Sequence, residues 1–151
     1  MDFLDELLPL ACEWAEQREE DILRNGVGLT ESQLEDAGLA GVSRPEKVRL
    51  LEVNRMPWPE DPMLLSIGEQ AGFFTDGVEG LAIGYGILIK SNRWQDRRLI
   101  VHELVHVSQH ERLGGISEFL QQYVTECLTD GYEDGPLESE AREAVARICG
   151  R

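Results

Sequence analysis

The 151-residue sequence has few cysteines and no long hydrophobic run, and both absences narrow the class of protein. Its cysteines, Cys12, Cys127 and Cys149, are odd in number, lie far apart and form no C-x-x-C pair, so they predict no disulfide framework. No apolar stretch approaches the roughly 20 residues that a bilayer-spanning helix needs. The first residues, 1–6, are acidic where a secretory signal peptide is basic. We therefore expect a cytoplasmic protein without a signal peptide or a transmembrane segment.

Basic residues are also scarce. Lys and Arg number 14 against 29 Asp and Glu, which gives a formal net charge of −15. Nucleic acids and anionic membrane surfaces are polyanions, so this charge argues against both as partners. An acidic surface of this kind favours solubility and says little about specificity.

No internal repeat, low-complexity tract or linker divides the chain, so we expect a single domain over residues 1–151. Residues 1–75 are predicted to form a mainly helical N-terminal part, with a candidate strand at 48–53. Residues 81–89 are the clearest strand candidate, in which Gly84 and Gly86 mark either close approach by another backbone or a ligand, or a kink in an edge strand. Three helices are then predicted over 94–113, 116–130 and 136–149. The predicted class is α+β, mostly helical, with a small sheet before the first of these three helices.

The most informative feature is the run His102-Glu103-Leu104-Val105-His106, an H-E-x-x-H inside an apolar helical stretch. Two histidines four residues apart lie one turn apart on the same helix face, so both imidazoles can reach one metal ion. Neutral imidazole suits Zn²⁺. Glu103 is next to the first histidine and can take a proton from a water that the metal activates. The competing interpretation is a core helix with hydrogen-bonded histidines.

A catalytic zinc site has three protein ligands and an open position, so a third ligand is needed. His110 follows His106 by four residues and lies too far along the helix axis to be a ligand, and we interpret it as a surface residue or, at most, as a partner near the cleft. Two downstream carboxylates remain, Glu126 and Glu138. A ligand near a helix start is freer to swing onto the metal than one fixed in mid-helix, which favours Glu138 and leaves Glu126 as the alternative. Tyr123 can act as an oxyanion donor or serve only as a core tyrosine.

The stretch 102–109, H-E-L-V-H-V-S-Q, resembles the H-E-L-x-H-V-x-Q signature of the DUF4157-type metallopeptidases. The preceding glycine-bearing strand and the run Arg97-Arg98-Leu99 fit that pattern, and the resemblance covers roughly residues 80–142. Its implication is a small gluzincin-like (zincin) core over residues 80–150 that contains the H-E-x-x-H helix.

The two candidate third ligands resemble two patterns within the gluzincins. Glu126, with Asp130 four residues later, has the spacing of thermolysin-like enzymes, where the Glu binds zinc and the Asp orients the first histidine. Glu138, with Ala141 three residues later, resembles the E-x-x-A element of the M48-type peptidases. In that element an Asp follows, whereas Arg142 stands here.

These observations predict a zinc-dependent metallopeptidase that hydrolyses peptide bonds, with zinc on His102, His106 and Glu138 and with Glu103 as the general base. The expected partner is a peptide or protein substrate, aligned along the strand at 81–89 by main-chain hydrogen bonds. Two alternatives remain. One is a catalytically inactive zinc-binding structural or regulatory domain, and the other is a metal-free interaction module with an acidic surface.

Overall fold

The computed structural model describes residues 3–70, 72, 75 and 77–151, and of residue 3 only the backbone. Within these residues the fold is α+β, with six α-helices, four short strands and two 3₁₀ turns at Pro45–Lys47 and Ser91–Arg93. None of the described helices is both long and apolar enough to cross a membrane. The predicted N-terminal part, 1–75, includes residues 1, 2, 71, 73 and 74, which lie outside the described residues. The helices are α1 (Phe3–Asn25), α2 (Glu31–Leu39), α3 (Pro62–Gln70), α4 (Arg97–Leu113), α5 (Ile116–Asp130) and α6 (Pro136–Cys149), and the strands are β1 (Val27–Gly28), β2 (Arg49–Val53), β3 (Gly80–Ile83) and β4 (Gly86–Lys90).

The four strands form one mixed sheet in the order β1-β2-β4-β3. β2 and β4 are parallel, and the outer pairs β1–β2 and β3–β4 are antiparallel. Half of the sheet therefore comes from the N-terminal part of the chain, which was predicted to be mainly helical. β3 forms one edge of the sheet.

Strand β4 is buried on both faces because helices cover both sides of the sheet. Ile87 and Ile89 pack with Leu104 of α4 in one apolar cluster. Leu88 points to the opposite face and packs with Ile22 of α1 in a second cluster. This alternation follows from the two-residue period of a strand. Strand β4 thus contacts the H-E-x-x-H helix on one face of the sheet and α1 on the other.

The single strand predicted over residues 81–89 is wrong, since these residues form the hairpin β3–β4. Gly84 and Tyr85 make the turn, and the φ of Gly84 is 61°, in the left-handed region that favours glycine. The amide of Tyr85 donates to Glu19 of α1 at 2.8 Å. Gly86 faces Ile22, whose Cβ would lie 2.9 Å from a Cβ added at this glycine. Both glycines therefore make room for side chains of α1.

We expect Gly86→Ala to destabilise the fold by about 1–3 kcal/mol, because the added methyl group overpacks the contact with Ile22. Gly28→Ala in β1 is the matched control, since its added Cβ meets only an Arg49 side-chain atom at 3.7 Å. Urea unfolding of both variants measures the difference. Equal losses of unfolding free energy would contradict the close α1–β4 packing.

Candidate metal centre

Helix α4 holds the H-E-x-x-H residues in a rigid, buried position. Its start is capped by Asp96, whose carboxylate accepts from the amide of Leu99 at 3.0 Å. It ends at Gly114, whose φ of 113° terminates the helix in the left-handed conformation. Between these ends, α4 packs against β3 and β4 of the sheet on one side and against α5 and α6 on the other. The motif therefore lies between the sheet and the two C-terminal helices.

The structure brings His102, His106 and Glu138 together. The Nε2 atom of His102 lies 2.8 Å from Glu138 Oε1, and the Nε2 atom of His106 lies 3.2 Å from Glu138 Oε2. One potential ligand atom from each residue lies within 4.8 Å of the others. The three side chains are largely buried, with relative exposures of 23%, 6% and 8%.

This cluster fits a zinc ion in its donor set and its spacing. Two imidazoles and one carboxylate are a ligand set found in catalytic zinc sites. Bonds of about 2.0–2.1 Å in a tetrahedron separate neighbouring ligand atoms by about 3.3–3.4 Å. The nitrogen–oxygen separations of 2.8 and 3.2 Å, which involve different oxygens of Glu138, are close to that spacing, and the three ligand atoms all lie within 4.8 Å of one another. The three residues could therefore hold zinc, with a fourth position left for a water.

Glu126, the alternative third ligand, lies elsewhere. Its Oε1 accepts from the amide of Leu137 at 2.8 Å, and its Oε2 accepts from Gln122 at 2.9 Å. Glu126 thus caps the start of α6. Asp130 is exposed at the end of α5. The thermolysin-like spacing therefore does not correspond to a cluster in the described residues, and Glu138 is the carboxylate that meets the histidines.

The carboxylate of Glu138 is surrounded by hydrogen-bond donors. Besides the two histidines, the hydroxyl of Tyr123 donates to its Oε2. Burial by itself raises the pKa of Glu138, but the hydrogen bonds and charges of His102 and His106 outweigh burial and hold that pKa well below its usual range. The carboxylate is therefore ionised. Tyr123 holds this carboxylate, a role that its place in the sequence did not reveal.

Gln109 fixes the orientation of the His106 ring. The Nδ1–H of His106 donates to Gln109 Oε1 at 2.6 Å. The amide nitrogen of Gln109 donates in turn to the carbonyl of Leu137 at 3.0 Å and to Glu140 at 2.7 Å. Because the amide nitrogen makes these two bonds, the amide oxygen faces the histidine. The Nε2 of His106 is then the atom directed at Glu138.

His106 differs from a free imidazole in its charge. Burial lowers the pKa of His106, but its hydrogen bond to Glu138 and the nearby carboxylate charges raise it to about 9. In the absence of metal, the cluster is therefore an ion pair between His106 and Glu138. Zinc and this proton compete for the same nitrogen atom.

Glu103 is buried beside the cluster and against the edge strand β3. Its side chain is in close contact with Gly80, where an added Cβ would lie 3.2 Å from Oε2, and it accepts from the amide of Ala82. Burial raises the pKa of Glu103. Glu103 lines both an inner cavity of about 60 Å³, shared with His106 and Glu138, and an open groove on the outer side, shared with His102. It therefore lies between two spaces that could hold water.

His110 is buried, so its predicted surface position is wrong. Its Nδ1–H donates to the backbone carbonyl of His106 at 2.7 Å, and its ring stacks on Phe119 of α5 at 3.8 Å. Burial lowers the pKa of His110 to about 4, so the ring is neutral. It does not belong to the His102–His106–Glu138 cluster.

Comparisons with known proteins do not assign this site. No family model, no curated protein and no solved structure matches the chain. The resemblance to DUF4157-type and other gluzincin metallopeptidases therefore stays a prediction from the motif residues.

We expect Glu138→Gln to weaken zinc binding more than about 100-fold, beyond the effect typical of residues that only support a ligand. Glu126→Gln is the matched control and should keep the wild-type affinity, because a glutamine oxygen can still accept from the amide of Leu137. Competition against a chelator of known zinc affinity measures both variants. Metal loss in Glu126→Gln alone, or full zinc occupancy in a double variant with alanine at His102 and His106, would contradict this ligand set.

Gln109→Leu should weaken zinc binding by about 10–100-fold, because the Nδ1–H of His106 loses its acceptor and the ring its fixed orientation. Gln121→Leu, an exposed change on α5, should leave zinc affinity unchanged. Nitrogen NMR of the zinc-loaded histidines adds a readout that a loss of stability alone would not move, since it reports which ring nitrogen carries the proton. An unchanged His106 tautomer and unchanged affinity in Gln109→Leu would refute the positioning role.

Proposed function

We propose that this chain is a zinc-dependent metallopeptidase with a small gluzincin-like domain. His102, His106 and Glu138 hold the zinc, and Glu103 is the general base. The observation that carries the proposal is the convergence of both motif histidines with a carboxylate from a separate helix, within 4.8 Å of one another. A buried Glu103 lies beside this cluster and lines the groove that opens at His102.

A zinc ion bound at this place would polarise the scissile carbonyl and lower the pKa of a coordinated water. Glu103 receives the proton of the attacking water and later delivers it to the leaving amine. Burial raises the pKa of Glu103, which makes its carboxylate a stronger base than an exposed one.

The surrounding residues keep the ligands in place. Tyr123 holds Glu138 through its hydroxyl, and Gln109 holds His106 through its amide oxygen. Such supporting contacts fix ligand orientation and raise metal affinity. The departure at Arg142 from the family pattern does not leave the cluster unsupported, because these two residues supply the supporting contacts.

Edge strand β3 is the main-chain surface nearest to Glu103, and we propose that an extended substrate runs beside it. Ile83 pairs with Gly86 next to the turn, so alternate residues of β3 direct their main-chain groups towards β4. The main-chain groups of Gly80 and Ala82 therefore face the free edge. The amide of Ala82 already donates to Glu103. Ala82 lines the inner cavity, whereas Gly80 lines both that cavity and the outer groove. A peptide in the outer groove therefore reaches this edge at Gly80, where its main chain can pair without displacing Glu103.

A second candidate function is a zinc-binding structural or regulatory domain that cleaves nothing. One observation favours it. The inner cavity beside His106 and Glu138 has a volume of only about 60 Å³, which admits a few water molecules but no peptide. In that case the metal would join α4 to α6 and stabilise the fold.

The variant Glu103→Gln separates the two functions. It should retain zinc, because Glu103 is not in the ligand cluster, and it should lose peptide hydrolysis by at least about 10²–10⁴-fold, as expected for removal of a general base. The assay uses a panel of unfolded proteins and mixed peptides, with zinc content measured on the same samples. Glu143→Gln, an exposed change on α6, is the matched control and should cleave like the wild type.

Each outcome of this assay has a distinct meaning. Equal cleavage by the wild type and by Glu103→Gln would show that the activity uses other residues or another protein, and the proposal would fall. Stoichiometric zinc in all three proteins without any cleavage would favour the structural domain. Absence of stoichiometric zinc from protein purified without chelators would leave the metal-free interaction module.

A further inference from the structure

An open groove of about 500 Å³ runs along the outer side of the candidate metal centre. His102 and Glu103 form part of its wall, so a ligand in the groove lies next to both. Three arginines, Arg93, Arg98 and Arg142, line the same groove. Glu79, Glu103 and Glu133 line it as well, so the formal charges of the lining balance, and the basic groups that matter are the arginines without a carboxylate partner.

Two of these arginines lie on the same helix face as a residue of the ligand cluster. Arg98 precedes His102 by four residues on α4, and Arg142 follows Glu138 by four residues on α6. Residues four apart lie on the same helix face about 5.4–6 Å along the axis. Each arginine is thus one turn away from a residue of the cluster.

The two arginines lie on the same side of the cluster because α4 and α6 are antiparallel. Arg98 near the start of α4 donates to the carbonyl of Gly150 beyond the end of α6, at 2.6 Å. Gln109 near the end of α4 donates to the carbonyl of Leu137 at the start of α6. The start of α4 and the end of α6 therefore lie on the same side of the cluster. Arg98 precedes His102 and Arg142 follows Glu138, so both arginines lie on that side.

The three arginines differ in whether a carboxylate neutralises their charge. Arg93 is neutralised by Glu79 at 2.8 Å and by Asp96 at 2.6 Å. Arg98 donates to a backbone carbonyl, and Arg142 donates to the hydroxyl of Ser139 at 3.2 Å. Within the described part of the chain, neither has a carboxylate within ion-pair distance. Both side chains are exposed, so their charges are available to a ligand in the groove.

We infer that Arg98 and Arg142 select substrates that carry a carboxylate close to the bond to be cut. This inference rests on the proposed peptidase function and names the class of its substrate. Guanidinium groups bind carboxylates through paired, charge-assisted hydrogen bonds, and two of them flank the groove one turn from the cluster. The carboxylate is either the side chain of Asp or Glu or the free carboxyl terminus of a peptide. Arg142, the residue that departs from the E-x-x-A-D pattern, thereby gains a role in specificity.

The test compares matched peptides. One neutral sequence that the wild type cleaves is synthesised with Glu or Gln at each position in turn, and with a free carboxylate or an amide at its C-terminus. The wild type should cleave the best carboxylate-bearing peptide at least about 10-fold more efficiently, in kcat/KM, than its neutral partner. The peptide position at which a carboxylate raises kcat/KM shows whether the groove selects an acidic side chain or a carboxyl terminus.

The double variant Arg98→Gln/Arg142→Gln should lose most of this ratio. Arg24→Gln is the control for loss of charge alone, since Arg24 pairs with Glu20 on α1 and does not line the groove, and it should keep the ratio. A wild-type ratio near one, or a ratio that survives in the double variant, would overturn the inference.

A binding experiment distinguishes failure of the peptidase function from failure of the groove's selectivity. If the wild type cleaves no peptide, the same peptides are titrated calorimetrically into zinc-loaded Glu103→Gln with and without the two arginine changes. Binding of the carboxylate-bearing peptides that is lost with the arginines would support the groove's selectivity while the peptidase proposal falls. Equal binding of charged and neutral peptides, or no binding of either, would overturn the selectivity as well.

Discussion

The buried carboxylate of Glu138 is the group on which the arrangement of the three C-terminal helices depends. An isolated buried charge costs several kcal/mol, and here three donors compensate it: the rings of His102 and His106 on α4 and the hydroxyl of Tyr123 on α5. Three helices thus meet at one charged group. Removal of any donor leaves that charge less compensated, which ties the packing of the helices to the integrity of the site. A divalent cation would neutralise the same charge, so the metal-free network and the proposed zinc centre draw on the same residues.

The position of Glu138 is in turn determined by how α6 begins. Pro136 occupies the first turn, where its missing amide proton and fixed φ cost nothing. The amide of Leu137 is capped by Glu126 from α5, and its carbonyl accepts from Gln109 of α4. The residue before Glu138 is therefore held on both of its main-chain groups. Glu126, which the sequence offered as a rival ligand, serves the site by fixing the backbone from which Glu138 extends.

Local signals predicted part of this structure well. Gly114 and Pro136 mark helix boundaries through backbone chemistry, so the ends of α4, α5 and α6 could be placed within about three residues, and the four-residue spacing placed the motif histidines on one face. What could not be predicted depends on contacts distant in sequence. The hairpin at Gly84 has apolar residues on both sides and no Asn-Gly or Asp-Gly turn, and it is accommodated by α1. The burial of His110 comes from Phe119 on another helix, and the role of Glu126 from the distance between α5 and α6.

The first helix carries no recognised motif, yet two of its residues line the inner cavity beside the cluster. Trp14 and Ala15 of α1 close the inner cavity that Glu103, His106 and Glu138 share, and its volume of about 60 Å³ is too small for a peptide. The outer groove is several times larger and opens at His102. Glu103 borders both spaces, so it can contact a water in the inner cavity and a ligand in the outer groove. Under the proposed peptidase function, a peptide too large for the inner cavity reaches Glu103 from the outer groove, and the arginines of that groove act on it before the bond to be cut meets Glu103.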